Sequence, residues 1–133
     1  MNLDRRFLLW ALGYATIGIA LGIYMAASQN HGEFVTHAHI LLIGFVLSLV
    51  YGIIHKLWLD NPGRAVANIQ FAVHLAAAIT ISLGLFLLYG NIAPAAMLDP
   101  ILGIASAGVL LGMLLMLYML VRSGKGKVIP GVQ

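Results

Sequence analysis

Residues 34–58 read FVTHAHILLIGFVLSLVYGIIHKLW, an apolar run whose one full charge, Lys56, stands near its far end. A helix needs about 20 mostly apolar residues to cross the hydrocarbon core of a bilayer, and this run meets that length. Three others do the same, at about residues 7–27, 65–89 and 101–121. Open strands are excluded, because lipid cannot satisfy unpaired backbone groups. The breaks between runs are short and carry turn chemistry. Ser28, Asn30 and Gly32 lie in the first, Asp60-Asn61-Pro62-Gly63 forms the second, and Gly90, Asn91 and Pro94 begin the third. Asp99 followed by Pro100 predicts an N-cap and first-turn proline for the last helix. The expected fold is an all-α integral membrane four-helix bundle, up-down-up-down, forming one transmembrane domain.

Composition agrees. Hydrophobic residues make up 62% of the 133 and charged residues 8%, against roughly 25% charged in soluble domains. Lipid is the expected solvent, and no nucleic-acid partner is expected. The first run follows Arg5 and Arg6 as a secretory signal would, but it is longer than the usual apolar core of about 7–15 residues. It is expected to stay as a helix. Cysteine is absent, which excludes disulfides, thiolate metal ligands and covalent haem attachment through a Cys-x-x-Cys-His motif.

Arg5, Arg6, Lys56, Arg64, Arg122, Lys125 and Lys127 are all the basic residues, and four spans put every one on the same side. The positive-inside rule makes that side cytoplasmic, with both termini on it and residues 123–133 a mobile tail. A bacterial inner membrane is the expected location. Phe7, Trp10 and Trp58 suit the inner interface, and Tyr24, Phe34 and Tyr89 the outer one. Gly18 with Gly22, and Gly108 with Gly112, have the spacing that lets helix backbones approach closely, within one chain or between copies.

Ionisable groups inside a membrane are costly and usually functional, and four of the five histidines fall within spans. His37 and His39 lie about 5–8 Å below the outer boundary at 1.5 Å rise per residue. Residues two apart on a helix point roughly 200° from one another, so this pair cannot chelate one ion. The rings either serve two sites, share a site with another copy, or bond a neighbouring helix and the headgroups. His55 lies five turns beyond His37, beside Lys56, where an interfacial role is expected. His74 lies deep in the third span on a stripe with Gln70, Ala77, Ile81 and Gly84. It is either hydrogen-bonded structure or a ligand, and its depth keeps it well over 10 Å from the outer pair. His55 and His74 are secondary candidates.

The run Phe34-Val35-Thr36-His37-Ala38-His39-Ile40-Leu41-Leu42-Ile43-Gly44-Phe45, continuing through Tyr51-Gly52-Ile53-Ile54-His55-Lys56-Leu57-Trp58, resembles the second transmembrane helix of haem–copper oxidase catalytic subunits. That superfamily includes cytochrome c oxidases and nitric oxide reductases. The resemblance covers about 25 residues well, and it implies that His37 or His39 ligates a low-spin haem. Gly44, two turns along the His37 face, would leave room for the macrocycle. The oxidase subunit has twelve helices in three arcs of four, and this chain looks like one arc. That implies a homo-oligomer, a trimer foremost, with His37 and His39 of adjacent copies holding haem b at each interface. The three copper-binding histidines of the family have no counterpart here, nor do its outer-side arginines that clamp haem propionates. Oxygen or nitric oxide reduction by this chain alone is therefore not expected, and no nucleophile, acid–base pair or phosphate loop suggests another reaction. The resemblance implies an electron-transfer or haem-related protein with a redox partner. The alternatives are a copper- or zinc-binding or transporting protein with a symmetric histidine site, and a non-catalytic accessory subunit of a respiratory complex.

Overall fold

Apolar residues on every side of a helix leave its register to be set by small and polar positions, and those positions build this structure. The computed structural model describes residues 1–59 and 62–123. It contains four helices, α1 (Leu3–Ser28), α2 (Phe34–Leu57), α3 (Arg64–Tyr89) and α4 (Ala95–Arg122), each long and apolar enough to span a membrane. There is no strand among the described residues. The chain is a multi-pass, all-helical membrane protein of the expected bundle type. The expected tail lies, beyond Ser123, outside the described residues.

Two antiparallel pairs make most of the contacts: α1 against α2, and α3 against α4. Contact of α1 with α3 is slight, and α1 makes no substantial contact with α4. Both glycine pairs work inside the chain. A Cβ on Gly18 would lie 2.5 Å from Leu41 Cδ2, and one on Gly22 would lie 2.9 Å from His37 Cε1. On α4, a Cβ on Gly108 would reach the Ala77 Cβ at 3.1 Å, and Gly112 packs on the backbone of His74. Lipid tails are as apolar as leucine, so close backbone approach and hydrogen bonding, not apolar burial, hold such pairs together.

Three expectations are corrected. The fourth helix begins at Ala95, with Pro94 at the N-cap and Pro100 inside. The carbonyl of Pro94 accepts from the amides of Met97 and Leu98, and burial of Leu98 rewards a first turn that precedes Asp99. Pro100 there has no amide to give the carbonyl four residues back, and its ring crowds that carbonyl. Phe7 is not an interfacial belt residue. Because α1 already starts at Leu3, Phe7 lies a turn inside and is 1% exposed. It packs edge-on against Tyr51 and Phe71, with ring centroids 5.7 and 4.8 Å apart. Third, Gly44 does not leave room for a ligand. The Tyr14 ring of α1 fills the space its missing side chain vacates.

The second helix is not α-helical throughout. Residues Ile40–Leu47 form a π-helical segment, with bonds reaching five residues on, an arrangement frequent at functional sites. Across it Thr36, Ile40, Gly44 and Ser48 are all buried.

The five basic residues described gather at one end of the bundle. There Lys56 Nζ lies 3.7 Å from Asp4 Oδ2, the Arg6 guanidinium covers the Phe71 ring at 4.2 Å, and Arg122 shares a cleft with Pro62 and Gly63. The exposed Lys56 ion pair contributes little to stability.

Gly44→Ala forces a methyl group into the Tyr14 ring. It should destabilise the protein by about 1–3 kcal/mol, the usual cost of overpacking. Gly112→Ala, whose nearest neighbour would stand at an ordinary 3.5 Å, should cost less. Unfolding of both variants in detergent, followed by circular dichroism, measures the difference.

Candidate functional site

The first turns of α2 follow an exposed loop holding Asn30, His31 and Gly32. Glu33 anchors the helix start: its Oε2 accepts the Thr36 hydroxyl at 2.5 Å. Thr36 is fully buried, so its hydroxyl is committed to the scaffold. One turn later the two histidines diverge. His37 turns toward α1, where Nδ1 meets the Gly18 carbonyl at 2.9 Å and the ring rests on Gly22. His39 Nδ1 meets the Val35 carbonyl of its own helix at 2.8 Å. Its helical neighbours one turn either way, Val35 and Ile43, pack against Ile81, Leu85 and Ala105 of α3 and α4.

A carbonyl only accepts, so each Nδ1 must carry the proton and donate it. In the neutral ring each Nε2 is then a bare lone pair. Neither Nε2 has a hydrogen-bond partner among the described residues, and neither is sealed from the surface. Metal-binding imidazoles almost always donate their other N–H to a carbonyl or carboxylate, which fixes the ring and its tautomer. Both rings have that arrangement.

The pair sits on the shoulders of an outward row. Phe34 and Leu42 are exposed, and Ala38 lies midway between them in sequence, with one histidine on either side. Both histidines are half-buried. Neither ring lines the clefts beside Leu49, Trp10, Tyr24, Tyr118 or Leu59. A large planar ligand would therefore need a second surface to complete its site.

The two remaining histidines within helices, His55 and His74, stand apart from this pair and belong to the basic half of the bundle. His74, 2% exposed, is joined to Ser48 Oγ through Nε2 at 2.8 Å and meets the Tyr51 ring edge-on at 4.9 Å. The stripe expected from Gln70 through Gly84 is buried throughout. His55 stacks on Phe7 with centroids 5.4 Å apart and planes at 20°, turned inward and not toward the headgroups. Lys56, not His55, takes the exposed position. No group of three or more histidine and acidic side chains disposed to hold an ion occurs among the described residues.

Sequence reasoning missed Ser48, Tyr51 and Phe7 as the surroundings of the inner histidines. The signal was present in the spacing: Ser48, Tyr51, Gly52 and His55 recur at three- and four-residue steps, as one helical face does. Comparison with known protein families, curated proteins and solved structures finds no match.

Ser48→Ala would leave His74 with both ring nitrogens buried and unpartnered. The expected loss is about 1–3 kcal/mol for the orphaned group. Ser48→Thr, which keeps the hydroxyl, should recover part of it when both are measured by the same detergent unfolding.

Proposed function

We propose that the protein is a membrane haem b protein that transfers electrons, with His37 and His39 as the residues that would hold the haem iron. The observation that supports this reading most is the pairing of two carbonyl-anchored imidazoles, each with an uncommitted Nε2, on opposite shoulders of α2. The donor set suits a haem iron, which takes neutral imidazole readily. Each ring is held by backbone and needs no side-chain partner. Bound between two imidazoles, the iron would cycle between its ferric and ferrous states and carry one electron.

The rings point apart, so one copy cannot supply both ligands to one iron. His37 of one copy and His39 of the next would meet across an interface, and repetition of that contact closes a ring. A cyclic homo-oligomer is the consequence, a trimer being the smallest ring beyond a dimer and the count implied by the resemblance of the chain to one of three oxidase arcs. Heterologous contacts of this kind close only when the rotation fits. Propionates would lie at the end that carries Gln29, Asn30, His31 and Asn91, all exposed; Thr36 is already bonded to Glu33 and would not serve. Basic residues at the other end would be cytoplasmic by the positive-inside rule, in a bacterial inner membrane, and a redox partner would dock at either face.

The visible spectrum of the purified protein tests this. Wild type should show the sharp Soret and α bands of bis-imidazole haem. His37→Ala and His39→Ala should each lose them, and native mass spectrometry should show that the haem-loaded species is an oligomer. If neither substitution changes the haem content, or if the haem-loaded species is a monomer, the reading fails. A colourless protein that retains stoichiometric zinc or copper would favour a metal site in its place.

A further inference from the structure

The basic half of the bundle contains a file of buried polar atoms whose hydrogen bonds are missing. Asp4 Oδ1, His55 Nε2, Gln70 Oε1 and His74 Nδ1 are all buried without a partner among the described residues. Gln70 is fully buried and His74 is 2% exposed. They are not scattered. His55 lies beside Gln70 and Asp4, without bonding geometry for Nε2 or Oε1. Gln70 precedes His74 by one turn of α3, and its Nε2 reaches the Gly112 carbonyl at 3.5 Å. His74 ends the file at Ser48.

The file also has a mouth. A cleft of about 270 Å³, lined by Asn2, Leu3, Asp4, His55, Lys56, Leu59 and Pro62, opens at the basic end. Its polar walls are Asn2, Asp4, His55 and Lys56, and Asp4 and His55 also begin the file. Buried polar groups in native proteins are nearly always bonded to protein or to ordered water, and a buried water typically makes about three such bonds. Four unsatisfied atoms leading inward from an open cleft meet the requirement for several polar partners.

Beyond Ser48 the character changes. Toward the opposite end the interior consists of Ile40, Gly44 and Tyr14, with Ala77, Ala78 and Ile81 of α3, all buried; the Tyr14 hydroxyl is the one buried side-chain polar atom without a partner there among the described residues. The ionisable groups facing the file are Asp4 and Arg6 from α1 and Tyr51, His55 and, at the mouth, Lys56 from α2. From α4 come only Gly112, Met113 and Met116, which carry no ionisable group; Met113 Sδ accepts the Tyr51 hydroxyl at 3.7 Å. Tyr14 lies past the closed end.

We propose that water enters from the cleft and links His55, Gln70 and His74 into a proton path that is open at the basic end and closed beyond Ser48. A proton from water in the cleft is taken up at a ring nitrogen of His55. It passes through water held by Gln70 to the Nδ1 lone pair of His74, while His55 returns to its neutral form. The reverse sequence discharges it to the same end. The path does not cross the membrane; it gives one histidine near the middle of the bilayer exchange with one compartment. This reading does not depend on any bound cofactor.

Hydrogen exchange tests it. In wild-type protein with 15N-labelled histidine, reconstituted in vesicles and transferred to D2O, the His74 ring proton should exchange far faster than the buried backbone amides of α3. Gln70→Leu, which fills the same volume without polar atoms, should slow it to the rate of those amides. His55→Phe, which keeps the stack on Phe7, should do the same and serves if the first variant fails to fold. The absence of cysteine gives a second measurement. A small water-soluble thiosulfonate should modify Gln70→Cys and leave Ala78→Cys untouched. A His74 ring proton as slow as the core amides in wild type overturns the proposal. So does unchanged exchange in a folded variant, or equal reactivity of the two cysteine variants.

Discussion

Within the hydrocarbon core, helices gain little from hiding leucine against leucine, so this bundle depends on how closely its backbones approach. That approach occurs twice, by the same device. Gly18 and Gly22 bring α1 onto α2 at His37, and Gly108 and Gly112 bring α4 onto α3 at His74. In each case one of two glycines four apart on one helix faces a histidine on its antiparallel neighbour, and the other faces an apolar residue beside it. The notch lets an imidazole lie between two helices without forcing them apart. It also puts a backbone carbonyl within reach of a polar side chain: Gly18 accepts from His37, and Gly112 accepts from Gln70, a turn from His74. The glycines therefore set the helix spacing and the polar chemistry together.

The two notches have opposite consequences for their histidines. At the outer end, the partner of Nδ1 is backbone and the other nitrogen is left toward the surface. Such a ring is fixed yet available, as a ligand must be. In the basic half, the partner of His74 is a side-chain hydroxyl, and the remaining nitrogen is sealed inside with other unpartnered atoms. Such a ring can exchange only what comes to it through the protein. Burial and second-bond identity, not residue type, separate the two kinds of histidine in this chain.

Much of the fold was legible because its causes are local and long-range at once. Apolar runs of spanning length, bounded by Asn30, Gly32, Pro62, Gly63 and Pro94, leave few alternatives. The stripe from Gln70 to Gly84 was readable because α3 is regular from end to end. What escaped reading depended on a neighbour. The place of Phe7 is decided by where α1 begins and by the aromatic rings opposite it. Gly44 looked like room for a ligand, but an empty side chain is room only if no other helix fills it, and Tyr14 does. The start of α4 turned on the burial of Leu98, which outweighs the preference of Asp99 and Pro100 for a helix start. The divergence of His37 and His39 was fixed by geometry alone, whereas the carbonyls that hold them could not be named without the packing.

The π-helical segment connects these findings. In a regular α-helix, residues four apart drift by about 40° around the axis at 3.6 residues per turn. Over the three steps from Thr36 to Ser48 the drift would carry the last side chain well away from the face of the first. A wider turn has less rotation per residue, so Ile40–Leu47 cancels that drift and keeps Thr36, Ile40, Gly44 and Ser48 inside together. Ser48 can then reach His74 while Thr36, three steps earlier, remains buried against Glu33 with His37 and His39 on its flanks. The irregular segment begins directly after His39 and ends directly before Ser48. It occupies the interval between the outer histidine pair and the inner polar file, and through it one helix presents both in register with the same core.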